Sequence, residues 1–195
     1  FSNYLANQGL NLRIAVIEYN SYQNDTYVYG INKIEDELHH SVWMSNVSDM
    51  EKILDTMRAT GGGDEIPIDG LGYLLDTSTM KWRSSAHKFA FLLTDEASNN
   101  NSNNRWGYTK MQDIANDLLE EGVTTSVVME DKQSFEKEYG PLYNTTGGQK
   151  VNIFSSDFSE EMIKLANGII ETAEKGIELH LNEPRMLVDM SVCYY

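Results

Sequence analysis

Two short acidic segments contain the side chains of this chain that could do chemistry. The first is the glycine-rich stretch 59–65, Ala-Thr-Gly-Gly-Gly-Asp-Glu, in which Thr60 offers a hydroxyl and Asp64 a carboxylate. The second is Thr94-Asp95-Glu96, which directly follows an apolar run. Hard divalent cations such as Mg²⁺ prefer oxygen ligands of this kind. The residue types therefore predict a cation site that the two segments share.

The elements around these segments would place them at one edge of a sheet. The run 89–93, Phe-Ala-Phe-Leu-Leu, is short and entirely apolar, which is typical of a strand buried on both faces. The second segment then lies at the carboxyl end of this strand, where open α/β sheets bind ligands. A capping box at Ser48 begins a helix that Gly61 ends, and a further helix is predicted over 66–75. The first segment thus links two helices.

The rest of the chain alternates between strands and helices. Buried or half-buried strands are predicted at 12–19, 26–31, 123–129 and 151–154, and helices at 109–122, 131–138 and 159–175. Such alternation predicts the α/β class, with a Rossmann-like open sheet that is mostly parallel and has helices on both faces. The strands at 12–19 and 26–31 would form a hairpin, which gives the sheet one antiparallel edge strand. Residues 1–176 form one domain in this interpretation, and 177–195 an extended segment or linker.

Composition narrows the classes of partner. The chain has 195 residues and a formal net charge of -15, which argues against nucleic acid and against an anionic membrane surface. There is no run of 18 apolar residues, so membrane insertion is not expected, and no targeting segment is visible. A single cysteine, Cys193, excludes an intrachain disulfide and an all-thiolate metal site.

With these features the chain resembles a von Willebrand factor type A domain over nearly its whole length, to about Thr172. Four segments carry the resemblance, and the last two look like type A domains of bacterial cell-surface proteins: Ala59-Thr60-Gly61-Gly62-Gly63-Asp64, Leu93-Thr94-Asp95, Tyr139-Gly140-Pro141-Leu142-Tyr143 and Ser156-Asp157-Phe158. The resemblance implies a metal-ion-dependent adhesion site, in which an Asp-x-Ser-x-Ser loop, a Thr-bearing loop and an Asp-bearing loop hold Mg²⁺, with Ca²⁺ or Mn²⁺ as alternatives. A carboxylate of a protein partner would complete the metal shell.

The resemblance assigns roles to three residues of this chain. Asp95 matches the aspartate of the third loop, and the stretch from Thr60 to Asp64 matches the second loop. Many members have threonine where this chain has Asp64, so either Asp64 replaces that hydroxyl or Thr60 reaches the site in another way. Purely local roles remain open, since Asp64 could cap the helix at 66–75 and Asp95 could cap a turn.

The chain departs from the family pattern at the first loop. No Asp-x-Ser-x-Ser lies upstream of residue 12, so the central first strand and its loop are expected to be missing from this chain. Truncation is the preferred explanation for their absence. A central strand buries about five aliphatic side chains, and each contributes ~2 kcal/mol to stability. The loss of this contribution is comparable to the ~5–15 kcal/mol free energy of unfolding of a whole domain, so the chain is expected to be marginally stable. Asp189-Met190-Ser191-Val192-Cys193 reads Asp-x-Ser-x-Cys and offers a substitute through circular permutation.

The leading functional hypothesis is an adhesion or protein-binding module, extracellular or at the cell surface, that acts through Mg²⁺ held by Asp95 with Asp64 or Thr60. It would not be an enzyme, and its metal binding would be weak or absent without the first loop. One rival is a metal-dependent hydrolase or an accessory subunit of a chelatase-type ATPase machine, with Asp64, Asp95 and Glu96 around the cation. Another is a structural spacer with a degenerate metal site.

Overall fold

A computed structural model describes residues 1–20, 26–28, 42–57, 64–99, 104–177 and 187–194 of the chain. Within these ranges the strands are β1 (Asn11–Glu18), β2 (Tyr27–Val28), β3 (His87–Leu93), β4 (Val123–Met129), β5 (Lys150–Asn152) and β6 (Leu187–Tyr194). The helices are α1 (Ser2–Asn7), α2 (Val47–Thr56), α3 (Pro67–Leu75), α4 (Thr77–Met80), α5 (Met111–Glu120), α6 (Gln133–Thr146) and α7 (Phe158–Ile177).

The strands form one sheet in the order β2-β1-β6-β3-β4-β5. Strands β1, β6, β3, β4 and β5 run parallel to one another, and helices connect most of them along the chain. The fold is therefore of the α/β class with a Rossmann-like open sheet, as the alternation of elements predicts.

Helices cover both faces of the sheet because the strands are apolar on both sides. In β3, Ala90 and Leu92 pack into one core with α3, α4, α5 and α6. Phe89 and Phe91, which alternate with them, pack into a second core with α1, α2 and α7. The continuous apolar run at 89–93 thus forms the doubly buried strand that was predicted.

Helix α6 is longer than its predicted extent of 131–138, and Pro141 lies inside it. A proline in a helix interior costs about 3 kcal/mol, because it removes a hydrogen bond and clashes with the preceding turn. Burial of Tyr139, Leu142 and Tyr143 against the sheet outweighs this cost. The helix ends at Gly147, whose φ of 77° is in the left-handed region that favours glycine.

The predicted antiparallel edge strand over 26–31 is not borne out as a full strand. Only Tyr27 and Val28, among the described residues, pair with β1 in antiparallel register. Further along the same edge of β1, the backbone of Ile14 exchanges two hydrogen bonds, of 2.7 and 2.8 Å, with Met44. Two short segments therefore pair with this edge of β1, and residues 29–31 of the predicted strand lie outside the described ranges.

The central strand of the sheet, which was expected to be missing, is present as β6. The sequence suggested a missing central strand and a segment at 177–195 outside the domain, yet β6 lies between β1 and β3 and pairs with both. If β6 is counted first, the strand order becomes 3-2-1-4-5-6, the order of doubly wound folds. The central position is filled, so the reason for expecting marginal stability no longer holds.

The Asp-x-Ser-x-Cys pattern has a different role from the one considered for it. Asp189 pairs in register with Arg13 of β1 and Lys88 of β3, near the amino ends of these strands. Its fully buried carboxylate accepts hydrogen bonds of 3.0 Å from Nε of Arg13 and 2.7 Å from Nε of Arg83, and one of 2.9 Å from the Arg83 backbone. The pattern is thus part of a strand with a structural ion pair, and Asp189 is far from the carboxyl edge.

None of the helices in the described ranges has the length and apolar character needed to cross a membrane.

Replacing Asp189 with alanine is expected to lower the free energy of unfolding by about 3 kcal/mol. Removing one partner of a buried ion pair leaves the other charge uncompensated, which costs about 3–5 kcal/mol. The lower end applies here because the Arg13 and Arg83 side chains keep 21% and 20% of their surface exposed and can be partly hydrated. Urea titration followed by fluorescence measures the change.

Glu171→Ala is the matched control for this substitution, because Glu171 is an exposed acidic residue on α7. It should change stability by no more than about 0.5 kcal/mol. Equal stability of the Asp189→Ala variant and the unmodified protein would contradict the importance of this ion pair.

Candidate functional site

The structure brings the two acidic segments together at the carboxyl edge of the sheet. Glu65, which precedes α3, forms a parallel bridge with Ser98, which follows β3. The Glu65 amide donates to the carbonyl of Ala97 at 3.2 Å, and the Asn99 amide donates to the carbonyl of Glu65 at 2.5 Å. Backbone hydrogen bonds therefore fix the first segment beside the second, although the two are about thirty residues apart in sequence.

The turn at Thr94-Asp95-Glu96 is held by hydrogen bonds on several sides. The Thr94 amide donates to the carbonyl of Val128 at 3.0 Å, and its buried hydroxyl donates to the carbonyl of Glu96 at 3.1 Å. Tyr139 of α6 donates its hydroxyl to the same Glu96 carbonyl at 3.0 Å. This network leaves the Asp95 side chain exposed at the end of β3.

Glu65 has the most unusual environment of the acidic residues in these two segments, because its carboxyl group is buried. Its side chain is 0% exposed, and neither carboxyl oxygen has a hydrogen-bond partner within the described part of the chain. Burial raises the pKa of Glu65 to about 8, and the negative charges of Glu96, Asp95 and Asp64 contribute in that order. The Glu65 carboxyl is consequently mostly neutral at pH 7, since ionisation would place an uncompensated charge in a buried position.

A further carboxylate belongs to the same neighbourhood. Burial raises the pKa of Glu138 on α6, a backbone hydrogen bond from Ser98 opposes this shift, and the charge of Asp64 adds to it. Burial likewise raises the pKa of Tyr139, with the charges of Glu138, Glu65 and Asp64 contributing. We call the five carboxyl residues at this edge of the sheet the acidic edge: Asp64, Glu65, Asp95, Glu96 and Glu138.

The structure brings two of the three predicted site residues together, and the third lies outside the described residues. Asp64 and Asp95 are brought to one place, since the charges of both act on Glu65. Thr60 lies outside the described residues. Glu65 was part of the acidic segment but was not singled out, although its position beside the apolar start of α3 was a signal of burial. No sequence signal pointed to Glu138, which reaches this edge only because α6 packs there.

The donor chemistry of the acidic edge suits a hard cation, because every side chain in it offers carboxylate oxygens. The buried carboxyl of Glu65, which has no hydrogen-bond partner among the described residues, fits the same role, since a bound cation would compensate its charge. Within the described ranges, however, no three His, Cys, Asp or Glu side chains are already arranged as a metal-binding group. The residues fit a cation in type and location, and their side chains would have to converge around it.

The sequence matches no protein-family model, no curated protein and no solved structure. The resemblance to type A domains therefore stays a prediction, and what the site can do must follow from its geometry.

The Glu65→Gln variant should become more stable relative to the unmodified protein as pH rises from about 4.5 to about 8. The raised pKa means that the folded state holds its proton at Glu65 while the unfolded state, with a pKa near 4.5, loses it. Stability of the unmodified protein thus falls across this window by up to about 1.4 kcal/mol per pH unit from this residue. The Gln side chain stays neutral, so the stability of the variant does not fall with pH in this way. At pH 8 its free energy of unfolding is therefore expected to exceed that of the unmodified protein by an amount on the order of a few kcal/mol.

Urea titrations between pH 4.5 and 8.5, with EDTA present, measure this difference. Glu171→Gln, an exposed residue on α7, should follow the unmodified protein at every pH. A constant difference between Glu65→Gln and the unmodified protein would show that Glu65 titrates alike in both states.

Proposed function

We propose that this chain is a metal-ion-dependent adhesion or protein-binding module of a cell-surface or secreted protein, and not an enzyme. The observation that carries the proposal is the Glu65 carboxyl, which is fully buried without a hydrogen-bond partner among the described residues and lies among other carboxylates. Buried acidic groups are normally paired, and an unpaired one costs stability. Such a group at a ligand-binding edge is typical of a functional site.

A divalent cation would relieve the repulsion within the acidic edge. Asp95, Asp64 and Glu65 would hold it, together with Thr60 if that residue reaches the site as the family resemblance implies. Mg²⁺ is preferred, with Ca²⁺ or Mn²⁺ as alternatives, because all of these ions take oxygen ligands. When bound, the cation supplies an electrophilic centre that can accept one more oxygen ligand from outside the chain.

The position of the site in the sheet supports this proposal. Doubly wound sheets bind ligands at the carboxyl ends of the strands, where the strand order reverses. Here the chain proceeds outward from β3 through β4 to β5, while β1 and β2 lie on the other side of β6. The turn after β3 is therefore beside the reversal point, and Asp95 is in that turn.

An acidic partner would bind at this edge only when a cation is present, because the edge itself is negatively charged. The chain has a net charge of -15, and the acidic edge concentrates negative charge where a partner would approach. A partner carboxylate would be repelled from this edge without a cation and attracted to the edge with one. The partner class that follows is a protein that presents an exposed carboxylate.

A second candidate is a metal-dependent hydrolase, which one observation favours. A carboxyl group whose pKa is about 8 could serve as a general base or acid near neutral pH, and Glu65 has this property. Against this, a fully buried Glu65 side chain offers no surface to a substrate. A cation needs only carboxylate oxygens around it and no open surface for a substrate, so the binding module remains the preferred function.

Mg²⁺ binding should release protons from the unmodified protein and should be lost in the Asp95→Asn variant. A carboxyl must be deprotonated to bind a metal, and the Glu65 carboxyl is mostly protonated at pH 7, so binding should release about one proton. Isothermal titration at pH 7 in two buffers of different ionisation enthalpy counts the protons. The Glu65→Gln variant should release none.

Glu171→Gln serves as the control in these titrations and should bind Mg²⁺ as the unmodified protein does. Unchanged affinity in Asp95→Asn would refute the assignment of the site. Absence of Mg²⁺, Ca²⁺ and Mn²⁺ binding in the unmodified protein would instead favour the structural spacer.

A further inference from the structure

An apolar groove lies on the face of the sheet that α1, α2 and α7 cover. Its volume is about 340 Å³, and the apolar side chains along it include those of Phe1, Met50, Leu54, Phe91, Leu93 and Met162. This volume is within the range of about 300–1,000 Å³ that is usual for ligand sites. The groove is thus large enough to receive side chains of another molecule.

The floor of the groove is formed by strand residues and is close to the acidic edge. Phe91 and Val128, from the adjacent strands β3 and β4, are almost fully buried at its base. Leu93, the last residue of β3, is half-buried there and is two residues before Asp95. Since consecutive Cα atoms are about 3.8 Å apart, the end of the groove is within about 8 Å of the Asp95 backbone.

The wall formed by α2 has a negative charge. Glu51 lines the groove and is exposed, and its Oε1 accepts a hydrogen bond of 3.1 Å from the Asn3 side chain. The only lysine of α2, Lys52, is already paired with Asp49 at 2.9 Å. An occupant with positive charge beside its apolar side chains would match this wall and the neighbouring acidic edge.

The sheet offers no main-chain partners to an occupant of this groove. Strands β3 and β4 are internal, and their backbone groups are hydrogen-bonded to neighbouring strands on both sides. A partner segment cannot add to the sheet here and must satisfy its own backbone hydrogen bonds. An amphipathic helix does so, and its apolar side chains at i, i+3, i+4 and i+7 can enter a groove between helices.

We propose that this groove is a docking site for a positively charged amphipathic helix of a partner protein. The apolar face of that helix enters the groove, and its basic side chains face Glu51 and the acidic edge. The docking does not need a cation at the acidic edge, and it is therefore separate from the proposed metal-dependent function.

The test uses synthetic peptides labelled with fluorescein, whose anisotropy reports binding. The probe is a helical peptide of Leu and Lys with about 15 residues, long enough for a marginally stable helix, and with its leucines at helical spacing. A peptide of the same composition without helical spacing tests for amphipathicity, and a Leu/Glu peptide with the same spacing tests for charge. Titrations are made at about 0.15 M salt with EDTA present, so that no metal contributes.

The helical Leu/Lys peptide should bind the unmodified protein at least about tenfold more tightly than either comparison peptide. Leu54→Gln and Glu51→Lys should each weaken its binding, the first by about tenfold or more. Leu54→Met should keep binding near the original level, because it keeps the apolar volume. Leu119→Gln is the matched control, because Leu119 is 51% exposed and lies on α5, on the opposite face of the sheet.

Three results would overturn the proposal. Equal binding of the peptide without helical spacing would mean general attraction to an acidic protein, and equal binding of the Leu/Glu peptide would mean an apolar site without charge selection. Equal binding to Leu54→Gln and Glu51→Lys would place the peptide elsewhere. Thermal melts confirm that each variant is folded, and Glu51→Lys alters an exposed residue, so the test does not depend on Leu54→Gln folding.

Discussion

Strand β6 is hydrogen-bonded on both sides, to β1 and to β3, and the rest of the architecture depends on this pairing. Without it, β1 and the strands from β3 to β5 would be two separate sheets with unpaired inner edges. The two helical layers would also lose the surface that joins them, because Met190 packs on one face of β6 and Cys193 on the other. The same strand sets the lateral distance between β1 and β3, and with it the width of the carboxyl edge.

Two buried acidic residues at opposite edges of this sheet show contrasting solutions to one electrostatic problem. At the amino edge, Asp189 is compensated by Arg13 and Arg83, so its charge is part of the structure. At the carboxyl edge, Glu65 has no such partner among the described residues, and other carboxylates surround it. Within the described residues the fold therefore pairs the buried carboxylate of Asp189 and keeps the Glu65 carboxyl mostly protonated, and the proposed cation would supply the missing positive charge at Glu65.

Strand β3 connects the acidic edge with the apolar groove. Leu93 lines the groove, Thr94 anchors the turn, and Asp95 is exposed directly beyond it. A partner that reached both places would meet an apolar depression beside a concentrated negative charge. Apolar contacts contribute affinity in proportion to buried area, while charge contributes orientation and rate of encounter, so the two surfaces are complementary in their physical roles.

Sequence by itself determined the local features of this protein: the α/β alternation, the doubly buried strand at 89–93, most helix positions, and the placement of Asp95 at the end of a strand. These follow from periodicity and turn chemistry, which act over a few residues. Only the tertiary structure decided that β6 is central, since its pairing joins Ile17 to Cys193 across nearly the whole chain. A short β-prone segment has the same pattern whether it is an inner strand, an edge strand or a linker. The raised pKa of Glu65 and the approach of Glu138 were also beyond the sequence, because each depends on neighbours that only long-range packing supplies.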